Sequence, residues 1–80
     1  MKIVMADGRE FVGTQKAIVQ SMRAIGFGAP QGSLGEYVDW LIAQTQSLEG
    51  IALDVPDGGE GERCAALVEQ LVLHGLAHRR

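Results

Sequence analysis

KIVMADGREFV, residues 2–12, decides the class of fold. Two apolar runs, Lys2–Ala6 and Arg9–Val12, flank Asp7-Gly8. An Asp-Gly pair between such runs is the strongest short-range signal for a β-hairpin, because a type I′ turn needs φ > 0 at both central positions. A two-residue turn sets Ala6 against Arg9, Met5 against Glu10, Val4 against Phe11 and Ile3 against Val12. Val4, Ala6 and Phe11 then share one side of the ribbon, and Ile3, Met5 and Val12 share the other. Both sides are partly apolar, whereas a hairpin with one wet side alternates cleanly. Ile3, Met5 and Val12 are therefore expected to meet either another part of the chain or a second copy.

Outward from the hairpin the pattern turns helical. Gly13 ends the second strand and Thr14 caps a helix over Gln15–Ile25, with Ile18, Met22 and Ile25 as its stripe. Gly26 is expected in a left-handed C′ position, followed by Phe27 as the hydrophobic contact of a Schellman ending. Gly28–Gly32 connects to a second helix, Ser33–Leu48, which holds the only Trp and the only Tyr. Ser33 and Glu36 read as a capping box. Leu34, Val38, Leu41 and Leu48 form its stripe, flanked by Tyr37 and Trp40. Gly50 closes the helix, and Ile51–Val55 alternates as a half-buried strand does. Pro56–Gly61 is a turn-rich acidic loop before a last helix, about Glu62–His74, with Cys64, Leu67, Val68 and Leu71 inward. Gly75-Leu76 repeats the glycine-then-apolar ending, and Ala77–Arg80 is a tail or a short edge strand. The expected order is β-β-α-α-β-α: a single α+β domain over residues 1–80, two layers deep, with a small, mostly antiparallel sheet covered by three helices.

Bulk composition limits what such a domain does. A chain of 80 residues buries roughly 60% of its unfolded surface, so association with a second chain is a natural route to stability. At 46% hydrophobic and 21% charged the chain has the balance of a folded protein, which argues against disorder. No apolar run approaches the roughly 20 residues that span a bilayer. MKIVMADGRE lacks the apolar core of a signal peptide, and Cys64 stands alone, so a reducing cytoplasmic location is expected. Charge is segregated. Residues 1–23 carry +2 and residues 63–80 carry +2, whereas residues 24–62 hold seven acids and no Lys or Arg, for −7. Such a band repels phosphate backbones and attracts basic surfaces.

Candidate chemistry is sparse. Gly26, Gly28 and Gly32 follow a helix, where a phosphate loop would follow a strand, and no Gly-Lys-Ser/Thr is present. His74 and His78 have chelate spacing, but Gly75 interrupts the helix between them. The loop acids Asp54, Asp57, Glu60 and Glu62 lack the alternation of a calcium loop. Cys64 near a helix start suits a lowered-pKa thiol on charge grounds and a small hydrophobe on pattern grounds. Read as a helix-turn-helix, the first two helices would give the DNA reader Glu36, Asp39 and Glu49 and no cation, the wrong sign for that role.

Two resemblances bear on function. ADGREFVGTQKAIVQSMR, residues 6–23, with Glu36-Tyr37 and Gly75-Leu76-Ala77, resembles a group of small bacterial proteins with an ADG-x-x-F-x-GT…IV…MR opening and no assigned activity. That resemblance implies a fold alone. Ser33-Leu34 opening an apolar helix, with Ile51 and Pro56 downstream, resembles the carrier proteins of fatty-acid and peptide synthesis, which implies a phosphopantetheine attached at Ser33. Gln31-Gly32 replaces that family's acidic approach, and the first 32 residues read as hairpin and helix where the family has helix and loop.

The functional expectation is a non-enzymatic interaction domain with no cofactor or metal. Its partner is a protein, either a second copy through Ile3, Met5 and Val12 or a different chain through Glu36, Asp39, Trp40 and Glu49. The alternatives are a carrier modified at Ser33 and a phage-type inhibitor whose acidic surface mimics a nucleic acid. Neither nucleic acid nor membrane is an expected partner.

Overall fold

A computed structural model describes residues 1–26 and 28–80. The hairpin forms from β1 (Lys2–Met5) and β2 (Glu10–Val12), but its register is one residue from that of a two-residue turn. Lys2 pairs with Val12, Ile3 with Phe11, and Val4 with Glu10. The Gly8 N–H donates to the Met5 carbonyl (2.9 Å), the Met5 N–H donates to the Arg9 carbonyl (2.8 Å), and Gly8 sits at φ 91°. This is the three-residue loop, a type I turn closed by a glycine bulge. The Asp7 carboxylate accepts the Arg9 N–H at 3.0 Å and fixes the turn from within.

That single-residue shift re-sorts the faces. Ile3 and Phe11 now lie together on the inner face and are buried, with Met5 half-buried against the core. Lys2, Val4, Glu10 and Val12 occupy the outer face, where Val12 is exposed and Lys2 reaches Glu10 at 3.7 Å. The grouping of Ile3, Met5 and Val12 on one side is thus corrected, and the hairpin is amphipathic in the ordinary way.

Three helices follow: α1 (Gln15–Ile25), α2 (Leu34–Glu49) and α3 (Glu60–Leu73). The third strand, β3 (Ala77–Arg79), comes last, so the order is β-β-α-α-α-β, and β1 is the centre of an antiparallel β2-β1-β3 sheet. The α+β class and the three-stranded antiparallel sheet with three helices are as expected, and Ala77–Arg79 takes the short edge strand of the two readings given for the tail; Ile51–Val55, expected as the third strand, does not join the sheet. Residues 51–55 keep the predicted alternation, with Leu53 buried and Ala52 and Asp54 exposed, but they lie outside the sheet. The Asp54 N–H donates to the Gln70 side chain of α3 at 3.0 Å, so the segment straps a helix.

Local chemistry explains the helix ends. Thr14 Oγ1 accepts the Ala17 N–H (3.1 Å), and Ser33 Oγ accepts the Glu36 N–H (3.2 Å), each satisfying a donor that the first turn leaves orphaned. Gly26 is extended (φ −71°), which corrects the left-handed ending expected for α1; the Phe27 contact lies outside the described residues. Helix α3 does end in a Schellman motif. Gly75 sits at φ 73°, its N–H donates to the Val72 carbonyl (3.1 Å), and the Leu76 N–H donates to the Leu71 carbonyl (2.8 Å). This reversal sends the chain antiparallel to β1. The core gathers where the helices meet the sheet: Ile3, Ile18, Val19, Val38, Leu67, Val68 and Cys64 are fully buried. Each large aliphatic side chain there contributes about 1.5–3 kcal/mol of burial.

Candidate functional site

Helix α2 runs past its own core. Its first half is buried through Leu34, Tyr37 and Val38, while Leu48, on the same inner stripe, remains 76% exposed. Beneath that second half lies an open cleft of about 440 Å3. Its walls are Trp40, Leu41 and Leu48 of α2, Met5 beside the hairpin turn, and Leu71 and Leu76 around the end of α3. The Thr45 hydroxyl at the cleft donates to the Leu41 carbonyl of its own helix at 2.8 Å, so it adds little free polarity to the apolar floor. A second, smaller cleft of about 200 Å3 shares Met5, Asp7, Trp40 and Leu41 with the first and continues to Met22, Ile25 and Tyr37. Trp40 stands between the two, its ring tilted 30° from Tyr37 with centroids 5.8 Å apart.

Four side chains rim the larger cleft with polar groups: Asp7, Gln44, Thr45 and Glu49. No cation lines it. Asp7 is shared with Arg9 (3.3 Å), which borders the smaller cleft, while Glu49 has no ion-pair partner among the described residues. Both helices that end here, α2 and α3, lack a basic residue in the last turn, and His74 stands at the C-cap of α3, so the partial negative charge is least compensated at the end of α2.

The acidic residues expected to form one partner surface separate into two places. Trp40 and Glu49 line the cleft, whereas Asp39 turns toward α3 and bonds Arg63 through its Oδ1, 2.6 Å from Nη2. Arg63 is 14% exposed and its Nε has no protein partner, so Asp39 anchors a largely desolvated cation. Hydrogen bonding to Asp39 holds the Arg63 pKa above its ordinary value. Glu36 folds back over Gly32 beside the helix start. Lys16 takes up Glu60 at 3.2 Å, so two of the seven acids in residues 24–62 are bound by cations from outside that span. Of the residues expected on a self-association face, Ile3 is fully buried, Met5 lines the cleft and Val12 is exposed on the opposite face of the sheet.

The other candidates resolve individually. Cys64 is fully buried, and burial raises its pKa, the reverse of what an activated thiol needs. His74 caps α3 and His78 lies on β3, on either side of the left-handed Gly75. Among the described residues no group of three or more His, Cys, Asp or Glu converges as a metal site, and no helix is long and apolar enough to cross a membrane. Ser33 is exposed, with its oxygen engaged as the α2 cap. The cleft was not visible in the sequence because residues 5–7, 40–49, 71 and 76 meet only through the tertiary fold. The one local signal was Leu48, the outermost residue of the α2 stripe. A scan against protein-family models, a search of curated proteins and a search of solved structures each found no match for this chain.

Proposed function

We propose that this domain works without catalysis, as an interaction module that receives a segment of a protein partner in the cleft under the C-terminal half of α2. The observation that supports this reading is the uncovered stripe: Leu48 is 76% exposed on the core-facing side of a helix, above an open apolar cleft walled by Trp40 and Leu76. Contiguous exposed apolar surface rimmed by polar groups marks interaction sites in soluble proteins. An aromatic at the centre of such a surface is a common binding anchor.

A photoreactive amino acid at Leu48 is expected to cross-link a protein of the expressing cell that the same label at Gln20, on exposed α1 surface, does not reach. Equal labelling from both positions, or none from Leu48, refutes the reading. Self-association is decided separately by sedimentation over a wide concentration range. A sharply monomeric profile makes the partner a different protein.

A further inference from the structure

Resting on that reading, the electrostatics of the cleft name the chemistry of its occupant. We propose that the cleft takes a basic amphipathic helix of another protein, whose apolar side chains seat between Trp40, Leu48 and Leu76 while its Lys and Arg residues reach Glu49, Asp7 and the C-terminal carbonyls of α2.

Three observations converge. The apolar wall is one helix, α2, facing a turn and a helix end, the open-sided shape that receives a helix through anchors at i, i+3 or i+4, and i+7. The rim is one-signed. Glu49 is unpaired among the described residues, Asp7 is exposed although its two oxygens face the Arg9 N–H and the Arg9 guanidinium (3.3 Å), and among the described residues the larger cleft has no cation in its lining. The C-terminus of α2, which has no basic residue in its last turn, adds partial negative charge at the same end of the molecule as Glu49. A second copy seated here about a two-fold axis would set this rim against an identical rim, whose lining offers Glu49 no cation among the described residues. A basic partner supplies one.

Trp40 is the only tryptophan, so its emission reports the site without a label. The probe is a synthetic Trp-free helix of about 18 residues, with Leu on one face and Lys on the other, long enough to hold helical structure once docked. Its counterpart has Glu at every Lys. The Leu/Lys peptide is expected to move Trp40 emission to shorter wavelength, to bind about tenfold or more tighter than the Leu/Glu peptide, and to weaken with salt. Glu49→Gln with Asp7→Asn, which keeps an acceptor for the Arg9 N–H, should weaken it about fivefold or more. Glu62→Gln, an acid of the first turn of α3 outside the cleft lining, should leave binding unchanged. Leu48→Glu should abolish binding while the far-UV spectrum of the free protein stays native. Equal affinity for both peptides, or loss on Glu62→Gln as large as on Glu49→Gln, overturns the charge assignment and leaves the interaction reading standing. A dimer that Leu48→Glu dissolves also overturns it, making the occupant a second copy. Absence of binding by both peptides overturns it too, and the interaction reading falls with it only if the Leu48 cross-link is also absent.

Discussion

Replacing Asp39 by Ala should cost more stability than replacing Arg63 by Met, although the two residues form one ion pair. The Nη2···Oδ1 contact is 2.6 Å, but the environments differ: the Arg63 side chain is 14% exposed and Asp39 is 69% exposed. Asp39→Ala leaves a largely desolvated guanidinium with Nε already unpartnered and now Nη2 as well. Leaving a buried donor unsatisfied costs about 1–3 kcal/mol, and solvent access on the Asp39 side draws this toward the lower half, about 1–2 kcal/mol. Arg63→Met removes the charge together with its desolvation and keeps the unbranched stem packed, so it should fall within about 0.5 kcal/mol of the parent. Urea unfolding of both single variants and the double variant gives the comparison and the coupling energy, expected at about 1–2 kcal/mol because Asp39→Ala should cost little once Arg63 is Met. The midpoint of thermal unfolding should drop about 4–8 °C per kcal/mol for a chain of this size. Arg63→Met costing more than Asp39→Ala would refute the desolvation argument. The outcome also matters for function, because lost partner binding in an Asp39 variant would reflect a loosened α2–α3 contact as readily as a lost surface charge.

Three further outcomes follow from particular contacts. Gly75→Ala should destabilise by about 1–2 kcal/mol in chemical denaturation, from the left-handed backbone alone, since a Cβ there meets nothing within 4 Å; a neutral result would mean that the Schellman turn shifts to accommodate it. Ser33→Ala should cost about 1 kcal/mol through the lost N-cap, and incubation with a phosphopantetheinyl transferase should add no mass to the parent; a mass gain abolished by Ser33→Ala would revive the carrier alternative. Stability should fall at alkaline pH, because burial raises the Cys64 and Tyr37 pKa values above their ordinary 9.0 and 10.0. For a group neutral when protonated, a raised folded pKa means that the unfolded chain loses its proton first, so this stabilisation is complete below pH 9.0 and declines as pH rises beyond it. A urea midpoint that is flat from pH 8.5 to about 11 would count against both groups.

The helices were legible because their signals are local: Thr14 and Ser33 at the starts, Gly50 and Gly75 at the ends, and stripes that placed Ile18, Val38, Leu67 and Leu71 in the core. The hairpin was legible and its register was not, since Asp7-Gly8 suits both a two-residue turn and a three-residue turn beginning at Ala6. The deciding signal was nevertheless present: only the second register gathers Ile3, Met5 and Phe11 inside with Lys2 and Glu10 outside. Alternation over Ile51–Val55 reported burial correctly and pairing wrongly, because alternation measures which way side chains point and says nothing of what the backbone bonds to. Ala77-His78-Arg79 has weak strand propensity of its own; β1 and the Schellman turn make it a strand. Glu36, Asp39, Trp40 and Glu49 looked like one acidic patch in sequence, and Arg63, distant along the chain, withdraws Asp39 from it.

The position of β1 at the centre of the sheet has a consequence for the order of folding. Ile3 pairs with Arg79, so the sheet is completed by a contact between residues far apart in sequence, a longer loop closure than the β1–β2 pairing requires. The α1–α2–α3 cluster and the β1–β2 ribbon involve shorter closures and can form beforehand. Docking of β3 is then expected to be the late step, and during synthesis it waits until residues 77–79 have left the ribosome. Until that moment one edge of β1 stands open, with its backbone groups available to any strand that arrives first.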